Sequence, residues 1–245
     1  FALVGRTAAG RPAVLERYTL ADSEADFWDL TNHPRAAAEK HGERLTEYLR
    51  RVLLHNAPLT SPQDVAAILA SYARDAKARV ESADLPALAG LRIALEEALG
   101  LKFEGARGEH FFRSTLVQTL FYGVFAAWVF WARRPGGAAP AAKSFKDELR
   151  ESAGPYTVAS DRFDWHAAEW SLRVPMIRAL FEQVATPSKL GPLNLIEVLD
   201  WTAAALNRVA RAAFFAAFDE GHAVQYLYEP FLEAFDPDLR KQLGV

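Results

Sequence analysis

The sequence contains no cysteine and only one methionine in 245 residues. The first absence removes disulfide scaffolds, thiolate zinc sites and thiol nucleophiles together, and it fits a reducing, cytoplasmic setting. Charge of one sign is also scarce: 28 Lys and Arg against 31 Asp and Glu give a formal net charge of -3. No whole-chain field therefore pulls the protein onto DNA or an acidic membrane. No basic, apolar, small-residue leader opens the chain. The familiar chemical motifs are missing as well. Gly5 and Gly10 have the spacing of a phosphate loop, but Arg11-Pro12 follows where Lys and Ser/Thr would grip phosphate and magnesium. There is no Gly-x-Gly-x-x-Gly, no Gly-x-Ser-x-Gly elbow and no His-Glu-x-x-His.

Six histidines, at 33, 41, 55, 110, 166 and 222, are scattered singly and read as surface or capping residues. His166 and Glu169 lie within one helical turn, but two ligands do not make a metal site. Glu96-Glu97 reads as a solvated helix face, with no reason for a shifted pKa. The residues themselves thus indicate no catalytic, cofactor-binding or metal site in this chain.

What is present is helical periodicity. Residues 1–20 read as a β-hairpin around a polar turn, a ribbon too small to stand alone and suited to finishing the sheet of a preceding domain. From Asp22 the pattern is that of helices. Ser23 caps a short one, and Pro34 opens another with Leu45, Leu49, Val52 and Leu53 as its apolar stripe. Ser61-Pro62-Gln63-Asp64 combines an N-cap hydroxyl, a first-turn proline and a first-turn acid. Leu88, Leu91, Leu95 and Leu99 form a further stripe, closed by Gly100.

The most apolar element runs from about 108 to 134. Its nineteen residues Ser114 to Ala132 carry no charge. That length could cross a bilayer, but the amphipathic helices around it each need an apolar partner, so it reads as a central core helix. Residues 135–160 form a breaker-rich insertion, and helices resume from 161 to 245. The fold class is therefore mainly α: a bundle-like domain around a central apolar helix, with a short N-terminal hairpin. The expected organisation is hairpin 1–20, first helical part 21–134, linker 135–160 and second helical part 161–245. Because the chain opens on Phe1 and stops at Val245 inside apolar runs, it reads as a segment of a longer protein.

The last stretch, His222-Ala-Val-Gln-Tyr-Leu-Tyr-Glu-Pro-Phe-Leu-Glu-Ala-Phe-Asp-Pro-Asp-Leu-Arg-Lys-Gln-Leu-Gly-Val245, resembles the segment before the methyltransferase domain of N6-adenine DNA methyltransferases in single-chain restriction–modification enzymes. Glu109 to Gly123, Leu53 to Thr60 and Phe1-Ala-Leu-Val look like the same family, so the resemblance touches most of the chain outside 135–160. It implies a helical connector between a nuclease-like and a methyltransferase domain. The family's Asn/Asp-Pro-Pro-Tyr/Phe motif, its Phe-x-Gly-x-Gly loop and a Pro-Asp…Asp/Glu-x-Lys nuclease signature are all absent. The resemblance therefore puts the active sites, and S-adenosylmethionine, outside these residues.

The resemblance further implies that residues 224–241 dock on the methyltransferase domain. Tyr228, Phe231, Leu232 and Phe235 would be the apolar anchors, with Arg240 and Lys241 at the rim. DNA contact, where made, would be to phosphates through the basic pairs Arg50-Arg51 and Arg133-Arg134. The alternatives are a free-standing module that binds a partner helix, and a membrane-associated protein using 114–132.

Overall fold

A computed structural model describes residues 1–6, 11–83, 85–133, 162–168, 172, 175–218 and 228–237. The expected linker at 135–160 lies outside them. The chain divides into two compact units, Phe1–Ala57 and Pro58–Val245. The hairpin thus shares a unit with the two helices that follow it.

In the first unit, strands β1 (Ala2–Arg6) and β2 (Pro12–Arg17) pair antiparallel, with a bulge between Leu3 and Val4. Val4 opposes Val14 and both are exposed, so the outward face is apolar at its centre. Helix α1 (Glu24–Asn32) starts where expected, because the Ser23 hydroxyl accepts from the Asp26 amide. Helix α2 (Pro34–Leu53) has its proline in the first turn.

Which face of α2 turns inward differs from the leucine stripe read in the sequence. Tyr48 and Arg51 are its buried residues, whereas Leu49 and Leu53 are 49% and 84% exposed. The cause lies on the hairpin. Glu16 is fully buried and accepts a hydrogen bond from Arg51 Nε at 3.2 Å, and Tyr18 lies against Tyr48 with ring centroids 5.7 Å apart. A carboxylate taken out of water needs a paired cation far more than a leucine needs cover. The ion pair therefore sets the rotation of the helix.

The second unit is built around α5 (Gly105–Ala132). No residue from Gly108 to Ala132 is exposed. This helix is long and apolar enough to cross a membrane, but in this fold its cover is supplied by the chain itself. Helices α3 (Pro62–Glu81), α4 (Leu85–Leu99), α6 (Pro175–Val184) and α8 (Leu195–Leu206) all pack on it. Between α6 and α8 lie the single turn α7 (Pro187–Leu190) and a 3-10 turn. Gly123 is the point where α6 comes closest: a Cβ there would sit 2.2 Å from the Phe181 ring. Helix α9 (Arg211–Ala217) brings Phe214 and Phe215 onto Trp128, and α10 (Glu229–Phe235) packs along α3.

The start and stop signals explain the element boundaries. Ser61 and Asp64 form a reciprocal capping box at the head of α3. The Leu88, Leu91 and Leu95 stripe of α4 is buried, and Gly100 follows at φ 66, the left-handed region that glycine enters without a Cβ clash.

Nothing local to Glu96 predicts an unusual titration, and the fold supplies a reason for one. Its carboxylate closes the joint between α4 and α5, accepting from Lys102 Nζ at 2.8 Å and from the Phe103 amide at 3.0 Å. Lys102 first and the Phe103 amide second pull the carboxyl down to about 2, against the opposing effect of desolvation. Arg92 adds a longer bond at 3.4 Å and links the joint to Glu109. The solvated-face reading of Glu96 is thus corrected.

Two outcomes follow from this packing. Leu120 is fully buried in α5, so Leu120→Asp places an unpaired charge in a dry core. Thermal melting should show a loss of several kcal/mol, on the order of a domain's whole stability. A parental melting curve would refute this orientation of α5. The second concerns pH. A carboxyl held below its ordinary 4.5 stabilises the fold above that value, and loses the contribution as pH falls from 4.5 toward 2. Urea midpoints measured across that interval should fall less steeply for Glu96→Gln than for the parent. Equal slopes would mean that the joint is not formed in solution.

Candidate functional site

The sequence directs attention to two sets of side chains, the aromatic anchors near the C-terminal end and the arginine pairs. The anchors are brought together, but inward. Phe231, Leu232 and Phe235 are all buried, at 1%, 0% and 3% exposure, and Tyr228 is half-buried. Phe231 lies 5.0 Å from Tyr122 and 6.5 Å from Phe121 on α5, centroid to centroid, and Tyr228 lies 5.0 Å from Tyr122. Burial raises the pKa of both tyrosines. These three apolar side chains therefore cannot serve as outward anchors in this conformation, because they fill this chain's own core. The physical reason is that α5 offers an uncovered aromatic surface that no other described helix fills. Arg240 and Lys241 lie outside the described residues.

The arginine pairs separate. Arg51 is buried on Glu16, so its guanidinium is committed inside the first unit and is withdrawn as a phosphate contact. Its neighbour Arg50 is exposed. Arg133, also exposed, caps the end of α5 with its guanidinium 4.8 Å from the centre of the Phe215 ring. Arg134 lies outside the described residues. Beside Arg133, Arg211 stacks over Trp131 at 4.2 Å. Stacking fixes the plane of a guanidinium while leaving its in-plane donors directed outward.

A third constellation went unnoticed in the sequence. Asp236, 4% exposed, follows the last turn of α10, and its Oδ2 accepts from Lys77 Nζ at 2.6 Å and from Ser114 Oγ at 2.7 Å. His110 Nε2 stands 3.4 Å from the same oxygen. Arg74 donates to the carbonyl of Ala234, one turn along α3 from Lys77. One residue of α3 and two of α5 thus meet at the carboxylate that ends α10, with Arg74 of α3 on the carbonyl two residues before it. The partners are more than a hundred residues apart in sequence, so no spacing could announce them. The one local sign was an acid followed by Pro237 at the end of an aromatic helix.

The chemistry open to this cluster is limited by its geometry. Ser114 is fully buried and its hydroxyl donates to a carboxylate that Lys77 also binds, so its oxygen is not accessible to a substrate. The cluster is a buried, charge-assisted knot rather than a nucleophile.

The exposed His33 has Asp29 3.2 Å from its Nδ1, and His166 is a further histidine with acids nearby. Its Nδ1 lies 2.9 Å from Asp164 and 3.9 Å from Asp200, whose carboxylate accepts from Trp165 Nε1 at 2.6 Å. All three titratable groups are substantially exposed, and Glu169, its companion in the sequence, lies outside the described residues. Among the described residues no group of three or more histidines and acids is placed to hold a metal ion.

In the first unit an open apolar recess of about 460 Å³ lies between the end of the hairpin and α1, with Tyr18, Leu20 and Phe27 among its walls. The exposed ring of Trp28 stands beside Phe27, at 5.3 Å and edge to face.

No protein-family model, characterised protein or solved structure matches this chain.

Proposed function

We propose that this chain is a helical spacer and coupler of an adenine-specific DNA methyltransferase or restriction–modification enzyme, without a catalytic centre of its own. In this reading it holds a nuclease-like domain and a methyltransferase domain at a set separation on DNA. S-adenosylmethionine belongs to the methyltransferase domain of the parent protein.

One observation carries the reading furthest. The stretch whose sequence resembles the family most, around Tyr228-Glu-Pro-Phe-Leu, is bound into the core of the helical unit by Phe231, Leu232 and Phe235. A segment leading into a further domain can transmit position only if it is held rigidly, and burial of three large side chains holds it so. The docking contacts of such a domain must then lie elsewhere than on those three side chains.

The reading is tested first in the gene. The codons after Val245 should encode Tyr-Thr-Pro, followed later by Asn-Pro-Pro-Tyr or Asn-Pro-Pro-Phe. A stop codon, or a continuation without these motifs, overturns it. The chain alone should give no heat with S-adenosylmethionine in calorimetry and no methyl transfer to duplex DNA. Micromolar binding of the methyl donor would place chemistry within these residues.

DNA binding by the isolated chain should be weak, indifferent to sequence and removed by modest salt, because contacts to phosphate release counterions. Arg133→Ala combined with Arg134→Ala should weaken what remains by a similar factor on every duplex tested. Electrophoretic shifts across unrelated duplexes at two salt concentrations measure this. Tight binding that survives salt and prefers one sequence would mean that the chain reads bases.

A further inference from the structure

The face that α10 lays on α3 and α5 has a property that the buried carboxylate at its end resolves. Tyr228, Phe231, Leu232 and Phe235 recur at intervals of three and four residues, so the apolar face nearly repeats itself after one helical turn. Sliding the helix by one turn, about 5.4 Å, carries Phe231 toward the place of Phe235 and Tyr228 toward that of Phe231. Apolar contact alone discriminates poorly between two such positions, since one large ring replaces another.

Asp236 does not repeat. Its carboxylate meets Lys77 and Ser114 and stands 3.4 Å from His110, while Arg74 meets the Ala234 carbonyl in the same seat. A one-turn slide would strip Lys77 and Ser114 of their shared acceptor in a region where Ser114 is fully buried. We infer that the Asp236 cluster is a register lock: it selects one of two neighbouring seats for α10, and contributes more to the uniqueness of that seat than to the stability of the fold. Buried polar groups that specify register at little gain in stability are known from helix–helix packing in general. Asp236 is a positioning residue in this role. The inference rests on the packing of α10 and not on the function proposed above.

The absence of cysteine makes a direct test simple, since a labelled pair meets no native thiol. Ala67 on α3 and Glu233 on α10 are both exposed. Spin labels on Ala67→Cys and Glu233→Cys report the travel of α10 along α3 by double electron–electron resonance. The parent should give one distance. Asp236→Asn should add or substitute a population displaced by about 5 Å, and Asp236→Glu should return the single distance. An Asp236→Asn protein that is folded by circular dichroism and keeps the single parental distance overturns the inference.

Should Asp236→Asn fail to fold, the combined variant Lys77→Met, Ser114→Val and Asp236→Leu replaces the knot with apolar side chains. It should melt no lower than the parent and show both distances. A single parental distance in that variant, or its failure to fold, would show that the cluster holds the fold together and does not choose the seat.

Discussion

Everything in the second unit follows from the need to cover one helix. Between Ser114 and Ala132 α5 presents no charge on any side, so it cannot spare a face for water. α3, α4, α6 and α8 pack on it, and α10 and α9 complete the cover through their aromatic rings. Two of its polar groups meet partners across the fold, Ser114 at Asp236 and Arg113 at Glu109 and the Val80 carbonyl. Gln118 Nε2, Tyr122 Oη and Trp128 Nε1, by contrast, are buried without a hydrogen-bond partner among the described residues. Close packing against such a helix leaves little slack. Gly123 shows this, for the Phe181 ring occupies the space where any side chain would begin.

The elements of the fold were legible because their signals are local. A serine three residues before a first-turn acid, a proline at the head of a helix, a glycine at its end and leucines at helical spacing each act within a turn or two. Ser61 to Asp64 and Leu88 to Gly100 accordingly stand as read. The failures came where a distant charge outweighed a local pattern. On α2 the leucine stripe is regular, yet the helix faces its partner with Tyr48 and Arg51, since Glu16 thirty-five residues earlier is buried and pairs with Arg51. Glu96 looked solvated because its two strongest donors come from the following loop, not from its own helix.

The candidate site was legible only in part for the same reason. The aromatic run ending at Phe235 stands out in the sequence as an apolar face, but a sequence does not say whether such a face is covered by its own chain or by another, and here Phe231, Leu232 and Phe235 fill this chain's own core. Asp236 was passed over because its meaning lies in residues 77, 110 and 114, and nothing within a turn of it hints at them. Arg51 was grouped with Arg50 as a basic pair, although adjacent positions on a helix point a hundred degrees apart and one of the two faces inward.

The first unit has a different thermodynamic character. Its described residues include four buried side chains, Glu16, Tyr18, Tyr48 and Arg51, and two of these are an ion pair. Heat capacity rises on unfolding in proportion to the apolar surface released and falls with the polar surface released. A unit that hides two tyrosines and a salt-bridged pair releases little of the first and a good deal of the second. Per residue its unfolding therefore carries a smaller heat-capacity step than that of the helical unit, whose core is built from apolar side chains. In a calorimeter the larger part of the baseline shift on melting belongs to the helical unit, and the stability of the hairpin and its two helices curves less with temperature.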